Sequence, residues 1–126
     1  MTTKISFLFA SAGGALAVIL GAIAAHGVDV GADKGLTENL NIGVEYQMYH
    51  CLALLMVAIV TRKWGSSVTL RVASGAFIFG ILLFSGGLYI SALTSITWIE
   101  QLIPLGGVCF IAGWCALFYS CYKSID

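Results

Sequence analysis

Two short segments of this sequence, residues 45–50 and 85–89, place several hydrogen-bonding side chains inside apolar stretches. The first segment contains His50, and an imidazole within an apolar stretch must hydrogen-bond, bind a proton or ligate something. Such groups are costly to bury in a membrane, so they raise the question of a functional site. The candidate polar cluster comprises His26, Glu45, Tyr46, Gln47, Tyr49, His50, Ser85, Gly86, Gly87, Tyr89, Pro104, Gly106 and Gly107.

Helical spacing predicts which members of this cluster meet. Tyr46 and His50 are four residues apart and differ by about 40° around a helix, so they share a face. Ser85 and Tyr89 share a face in the same way. We therefore expect His50 to face Ser85 or Tyr89 inside a helical bundle. Three interpretations stay open for His50: a neutral ring satisfied by Ser and Tyr hydroxyls, a ligand, ion or proton site, and haem or metal ligation.

The composition identifies the kind of molecule that must position these residues. Hydrophobic residues make up 60% of the 126 residues, charged residues only 10%, and the formal net charge is zero. A soluble domain of this size carries about a quarter charged residues, so a water-soluble fold is excluded. Nucleic-acid binding is excluded because there is no basic excess to neutralise phosphates. We predict an integral membrane protein with a single domain, residues 1–126.

Uncharged stretches between the charged residues define the membrane spans. About 20 helical residues cross the hydrocarbon core. We predict four transmembrane helices near residues 5–25, 43–61, 71–93 and 102–121, forming an all-α antiparallel bundle. The second helix is expected to begin outside the membrane, with Thr37 as its N-cap, after a turn-rich segment containing Gly27, Gly31 and Gly35.

Positive charge predicts the orientation of the bundle. Lys34 alone falls on one side, while the other side holds Lys4, Arg62, Lys63, Arg71 and Lys123. The positive-inside bias therefore places both termini in the cytoplasm. An alternative is that the first span is a signal peptide cleaved after residues 22–24, although its apolar run of 21 residues is longer than usual.

Small residues form strips along the first and last predicted helices. In lipid, small residues allow helices to approach closely, so the strips indicate packing within the bundle or a seam between copies of the chain. The four cysteines have no metal-binding spacing and are interpreted as buried apolar fillers. The first strip is Gly13, Ala17, Gly21 and Ala25, and the second is Gly106, Cys109, Gly113, Ala116 and Ser120.

Four collinear motifs resemble the family called domain of unknown function 423, or uncharacterised protein family 0382. The motifs occupy residues 21–27, 46–55 and 80–89, and the fourth combines residues 104–107 with Gly113 and Trp114. The family consists of small four-span proteins of the bacterial inner membrane, with a similar protein in mitochondria. The resemblance implies a multi-pass inner-membrane protein and argues against signal cleavage, since His26 would then lie at a severed end. It implies no agreed activity.

Three classes of function remain. We favour a non-catalytic accessory or assembly component of a membrane complex, because no catalytic constellation is recognised. The alternative is an oligomeric transporter or channel component that moves a small solute or a proton using His50. An enzyme or redox carrier is the third class. We predict no cofactor and no metal. The expected partners are the lipid bilayer and either a second copy of the chain or a membrane-complex subunit.

Overall fold

Four long helices make up the fold. The computed structural model describes residues 3–26 and 34–125. Helix α1 is Thr3–His26, α2 is Lys34–Trp64, α3 is Val68–Leu93, and α4 is Ile103–Ser124, preceded by the 3₁₀ turn Trp98–Leu102. Each helical stretch is long and apolar enough to cross a membrane, and the described residues contain no strand. The prediction of an all-helical protein with four candidate spans is confirmed.

Helices α2 and α3 form the inner pair of the bundle. In their most apolar stretches 44% of the residues are buried, against 17% in α1 and 22% in α4. The core is built around Leu54 and Val57 of α2 and Phe77 of α3, all almost fully buried. Helix α1 packs mainly against α2, and α4 packs mainly against α3. The inner pair is therefore the most buried part of the bundle.

Glycines let large side chains sit against the neighbouring backbone. On α1, a Cβ at Gly13 would meet Cys51, and one at Gly21 would meet Val44. The contacts between α3 and α4 follow the same principle, and residue numbers rise along α3 as they fall along α4. Their pairs are Phe77 with Gly113, Gly80 with Phe110, Phe84 with Gly106, and Gly87 with Ile103. Both small-residue strips thus pack inside one copy of the chain.

One residue of the first strip and one of the cysteines differ from expectation. Ala25 is exposed, and Ala24 is buried in its place. The reason is that four-residue spacing drifts about 40° per step against a helix of 3.6 residues per turn. Cys51 is buried, as predicted for a filler, but Cys115 is exposed because α4 buries only one face.

The start of α2 also differs from the prediction. The helix already includes Lys34, so Thr37 lies within its first turns rather than at its N-cap. The extension is held by apolar packing, since Leu36 and Leu40 contact the cluster that contains Ala24 at the end of α1. The predicted turn at Gly35 is wrong, because Gly35 lies in the first turn of α2, and the predicted turns at Gly27 and Gly31 lie outside the described residues.

A short turn joins α2 to α3, and α3 changes geometry halfway along. Gly65 has φ +88°, a conformation that favours glycine, and the Ser67 hydroxyl accepts a hydrogen bond from the Leu70 amide as the N-cap of α3. Residues Ile81–Ser85 form a π-helical turn, in which the Gly86 amide donates to the Ile81 carbonyl. No sequence pattern predicted this turn, and such turns are frequent at functional sites.

Candidate functional site

His50 lies in the interior of the bundle with both ring nitrogens engaged. It is buried, its Nδ1 lies 2.7 Å from the Tyr46 carbonyl oxygen, and the Trp114 Nε1–H donates to its Nε2 over 3.2 Å. An indole only donates and a carbonyl only accepts. Nε2 must therefore be unprotonated and Nδ1 must carry the proton. The contacts fix a neutral imidazole in a single tautomer.

Aromatic rings surround the same imidazole. The Phe110 ring is stacked on it with centroids 3.5 Å apart and an interplanar angle of 9°. Tyr46 stacks at 5.9 Å on the same helix, and Phe77 of α3 lies at 5.7 Å. Tyr46 and His50 thus share a face, as their spacing predicts. The stack holds the ring plane of His50 in one orientation.

This stack forms the floor of an open groove between α2 and α4. The groove has a volume of about 720 Å³ and extends along α4 from Pro104 to Trp114. Its rim is exposed, with Ile111 at 65% and Trp114 at 48% exposure. None of the described residues that line it is charged. The full lining is Tyr46, Tyr49, His50, Phe84, Pro104, Gly107, Val108, Phe110, Ile111 and Trp114. The arrangement suits an apolar occupant that approaches from the side of the bundle.

A second polar group joins α1, α2 and α3. The buried Gln47 amide donates from Nε2 to the Gly13 carbonyl over 2.7 Å, and Tyr89 donates its hydroxyl proton to Gln47 Oε1 over 2.8 Å. Gln47, Tyr89 and Gly86 also line a smaller cavity of about 330 Å³. A Cβ at Gly43 would clash with the Tyr89 ring, so the glycine allows that ring to reach α2. This group fixes α1 and α3 to α2.

The predicted pairing of His50 with Ser85 or Tyr89 is wrong. Tyr89 bonds Gln47 instead, and the buried Ser85 hydroxyl has no hydrogen-bond partner among the described residues. Gln47 and His50 lie about 60° apart around α2. The observed rotation of α2 directs Gln47 to α1 and α3 and directs His50 to α4.

The structure divides the predicted cluster rather than gathering it. Tyr46, Tyr49, His50, Pro104 and Gly107 line the groove, and Gln47, Gly86 and Tyr89 form the second group. The remaining members join neither: Glu45 and His26 are exposed, Ser85 is buried, and Gly87 and Gly106 serve as packing positions. Within the described residues, no three His, Cys, Asp or Glu side chains come together in a way that could hold a metal ion.

Three aromatic residues of the site were not predicted as members of the polar cluster, although Trp114 and Phe84 belong to the family motifs. Trp114 donates to His50, Phe110 stacks on it, and Phe84 lies 4.7 Å from Tyr46 between ring centroids. Trp114 could have been identified from the sequence, because an indole N–H in the middle of a span needs a hydrogen-bond acceptor. The two phenylalanines could not have been identified in this way, since they are ordinary apolar residues for a span.

Comparison with known proteins places the chain among uncharacterised membrane proteins. The family described as "Protein of unknown function (DUF423)" matches residues 20–107. UPF0382 membrane protein YwdK of Bacillus subtilis (strain 168) is 35% identical over 120 residues, covering 95% of this chain and 98% of that protein. A UPF0382 membrane protein of Haemophilus influenzae is 37% identical over 111 residues, 88% of each chain.

A third relative is named for its membrane. UPF0382 inner membrane protein YgdD of Escherichia coli (strain K12) is 35% identical over 116 residues, 90% of this chain and 86% of that protein. No solved structure matches the chain. The family match and these relatives, together with four apolar helices of spanning length, show that the chain belongs to the DUF423 family of UPF0382 membrane proteins.

Proposed function

We propose that this protein is a small, non-catalytic accessory component of a bacterial inner-membrane complex. In this proposal the four helices form an antiparallel bundle with both termini in the cytoplasm. The rising and falling contact pairs of α3 and α4 support the antiparallel arrangement. The five cations at the ends of the helices support the orientation through the positive-inside bias.

The observation that carries the proposal is that the buried His50 and Gln47 side chains are both hydrogen-bonded through their polar atoms. Both ring nitrogens of His50 are hydrogen-bonded, to the Tyr46 carbonyl and the Trp114 indole. The Gln47 amide is hydrogen-bonded to the Gly13 carbonyl and the Tyr89 hydroxyl. General acid–base catalysis or proton relay requires a group that can exchange its proton with a substrate. These groups instead hold the helices together beneath an open, uncharged groove. Such a site favours binding over chemistry.

The shape of the groove indicates which kind of partner fits. It extends along α4 from Pro104 to Trp114, ten helical steps or about 15 Å, and runs parallel to the helix axis. Gly107 leaves part of its floor without a side chain, and small residues are the usual contact points between helices in lipid. We propose that a transmembrane helix of the partner subunit occupies the groove.

Affinity capture from native membranes with a matched pair of variants tests this proposal. Gly107→Leu fills the groove, whereas Gly14→Leu adds the same side chain to α1 at a position with open space. We expect wild type and Gly14→Leu to retain a stoichiometric membrane partner and Gly107→Leu to lose it. A monodisperse protein without a partner, or a partner retained by Gly107→Leu, would contradict the proposal. Solute flux in proteoliposomes that is lost in His50→Ala would favour the transporter alternative.

A further inference from the structure

A third recess, at the opposite end of the bundle from the loop joining α3 to α4, brings together two cations from different helices. Lys4 at the start of α1 and Arg62 near the end of α2 line one cleft of about 430 Å³. The cleft is completed by Thr3, Phe7 and Leu8. No described carboxylate forms an ion pair with either cation. Two positive charges are therefore held next to an apolar wall without a neutralising partner in the described part of the chain.

The surroundings of the cleft are also positive. The Ser6 hydroxyl lies 2.6 Å from the Ser74 hydroxyl, which places the start of α1 beside the first turns of α3 and close to the level of Arg71. The Ser67 and Ser120 hydroxyls lie 3.4 Å apart, which brings the end of α4 and Lys123 to the same end of the bundle. The described acidic residues, Glu38, Glu45 and Glu100, belong to the other ends of their helices.

Two of the other cations at this end have different surroundings. Lys63 lies over the Trp64 ring, with Nζ 5.9 Å from the ring centroid. Lys123 lines a different recess, together with Ser67 and Tyr119. Lys4 and Arg62 are thus distinguished by sharing one cleft, and not merely by being positive.

We infer that the Lys4–Arg62 cleft binds the head group of an anionic phospholipid. Both cations are exposed on helices of spanning length, near the helix ends, where long basic side chains reach the level of the lipid head groups. Phe7 and Leu8 lie one turn further into the span, where the acyl chains of a bound lipid would begin. Basic pockets between transmembrane helices recognise anionic head groups in this way. A phosphodiester with net negative charge satisfies both cations, whereas a zwitterionic lipid brings its own cation into the cleft.

The test is a titration of the purified full-length protein with phosphatidylglycerol in neutral micelles, followed by native mass spectrometry. The variant Lys4→Gln with Arg62→Gln removes both cations of the cleft. The matched control, Lys63→Gln with Lys123→Gln, removes the same net charge from the same end. We expect the cleft variant to bind phosphatidylglycerol about tenfold more weakly or worse, and the control to bind within about twofold of wild type. The exchange Lys4→Arg with Arg62→Lys keeps both charges and should retain binding.

Three results would overturn the inference. Equal weakening in the control variant would show that only the overall charge matters. Equal affinity for phosphatidylcholine would show that the cleft does not recognise a net negative head group. Displacement of phosphatidylglycerol by inorganic phosphate at an equal concentration would show that the cleft binds a free anion rather than a lipid. Circular dichroism of each variant separates loss of binding from loss of fold.

Discussion

At the scale of single residues, the Trp114 indole determines how His50 carries its proton. A proton on Nε2 would point at the indole N–H, so protonation of the ring requires that Trp114 move away. The stacked Phe110 ring limits rotation of the imidazole at the same time. His50 therefore acts as a fixed acceptor that ties α4 to α2, which is the role we propose for it beneath the groove.

Removing the indole donor should weaken the bundle measurably. Trp114→Phe keeps an aromatic ring but leaves Nε2 of the buried His50 without a donor, so we expect the free energy of unfolding in micelles to fall by about 1 kcal/mol. Trp98→Phe is the matched control, since Trp98 is 61% exposed and should change little. A double-mutant cycle with His50→Phe isolates the pair. Additive losses in that cycle would contradict the hydrogen bond.

At the scale of elements, glycines set how closely α3 and α4 approach. At Gly106 an added Cβ would collide with the backbone nitrogen of Phe84, and backbone cannot move aside without separating the helices. A Cβ added at Gly107, the next residue, would lie 3.9 Å from its nearest neighbour, an atom of the Phe84 ring. Two adjacent glycines of one motif thus differ in what they do: Gly106 permits packing, and Gly107 opens the groove.

A pair of alanine substitutions tests this difference. Gly106→Ala should destabilise the bundle by about 1–3 kcal/mol, the usual cost of overpacking a core. Gly107→Ala should leave stability nearly unchanged, because it meets only an ordinary van der Waals contact and gains helix propensity. Thermal unfolding in the same micelles measures both variants. Equal stability of the two would mean that α3 and α4 do not approach through Gly106.

The sequence predicted what depends on local periodicity and missed what depends on helix rotation. The shared face of Tyr46 and His50 follows from four-residue spacing, and the packing of Gly13 and Gly21 against α2 follows from the strip on α1. The hydrogen-bond partner of His50 does not follow from the spacing, because a rotation of α2 by about 60° determines whether His50 faces α3 or α4. That rotation is set by how large side chains fit many glycine positions at once.

At the scale of the whole molecule, the His50 and Gln47 groups lie apart from most of the positive charge. These two groups join the helices at positions between the helix ends, while Lys4, Arg62, Lys63, Arg71 and Lys123 lie near the helix ends opposite the loop that joins α3 to α4. A partner helix in the groove and an anionic lipid at the Lys4–Arg62 cleft would therefore contact different regions. The two proposals can fail independently.

Reporter fusions test the orientation of the bundle in the membrane. This orientation determines which side of the membrane the groove and the Lys4–Arg62 cleft face. Five cations at one end predict that this end is cytoplasmic, so alkaline phosphatase fused after Asp126 should be inactive and a fluorescent protein there should be bright. The control is the same pair of reporters fused after Ser95, beyond α3, where the activities should be reversed. An active phosphatase at Asp126 would place the Lys4–Arg62 cleft in the periplasmic leaflet, against the direction in which positive charge orients short loops.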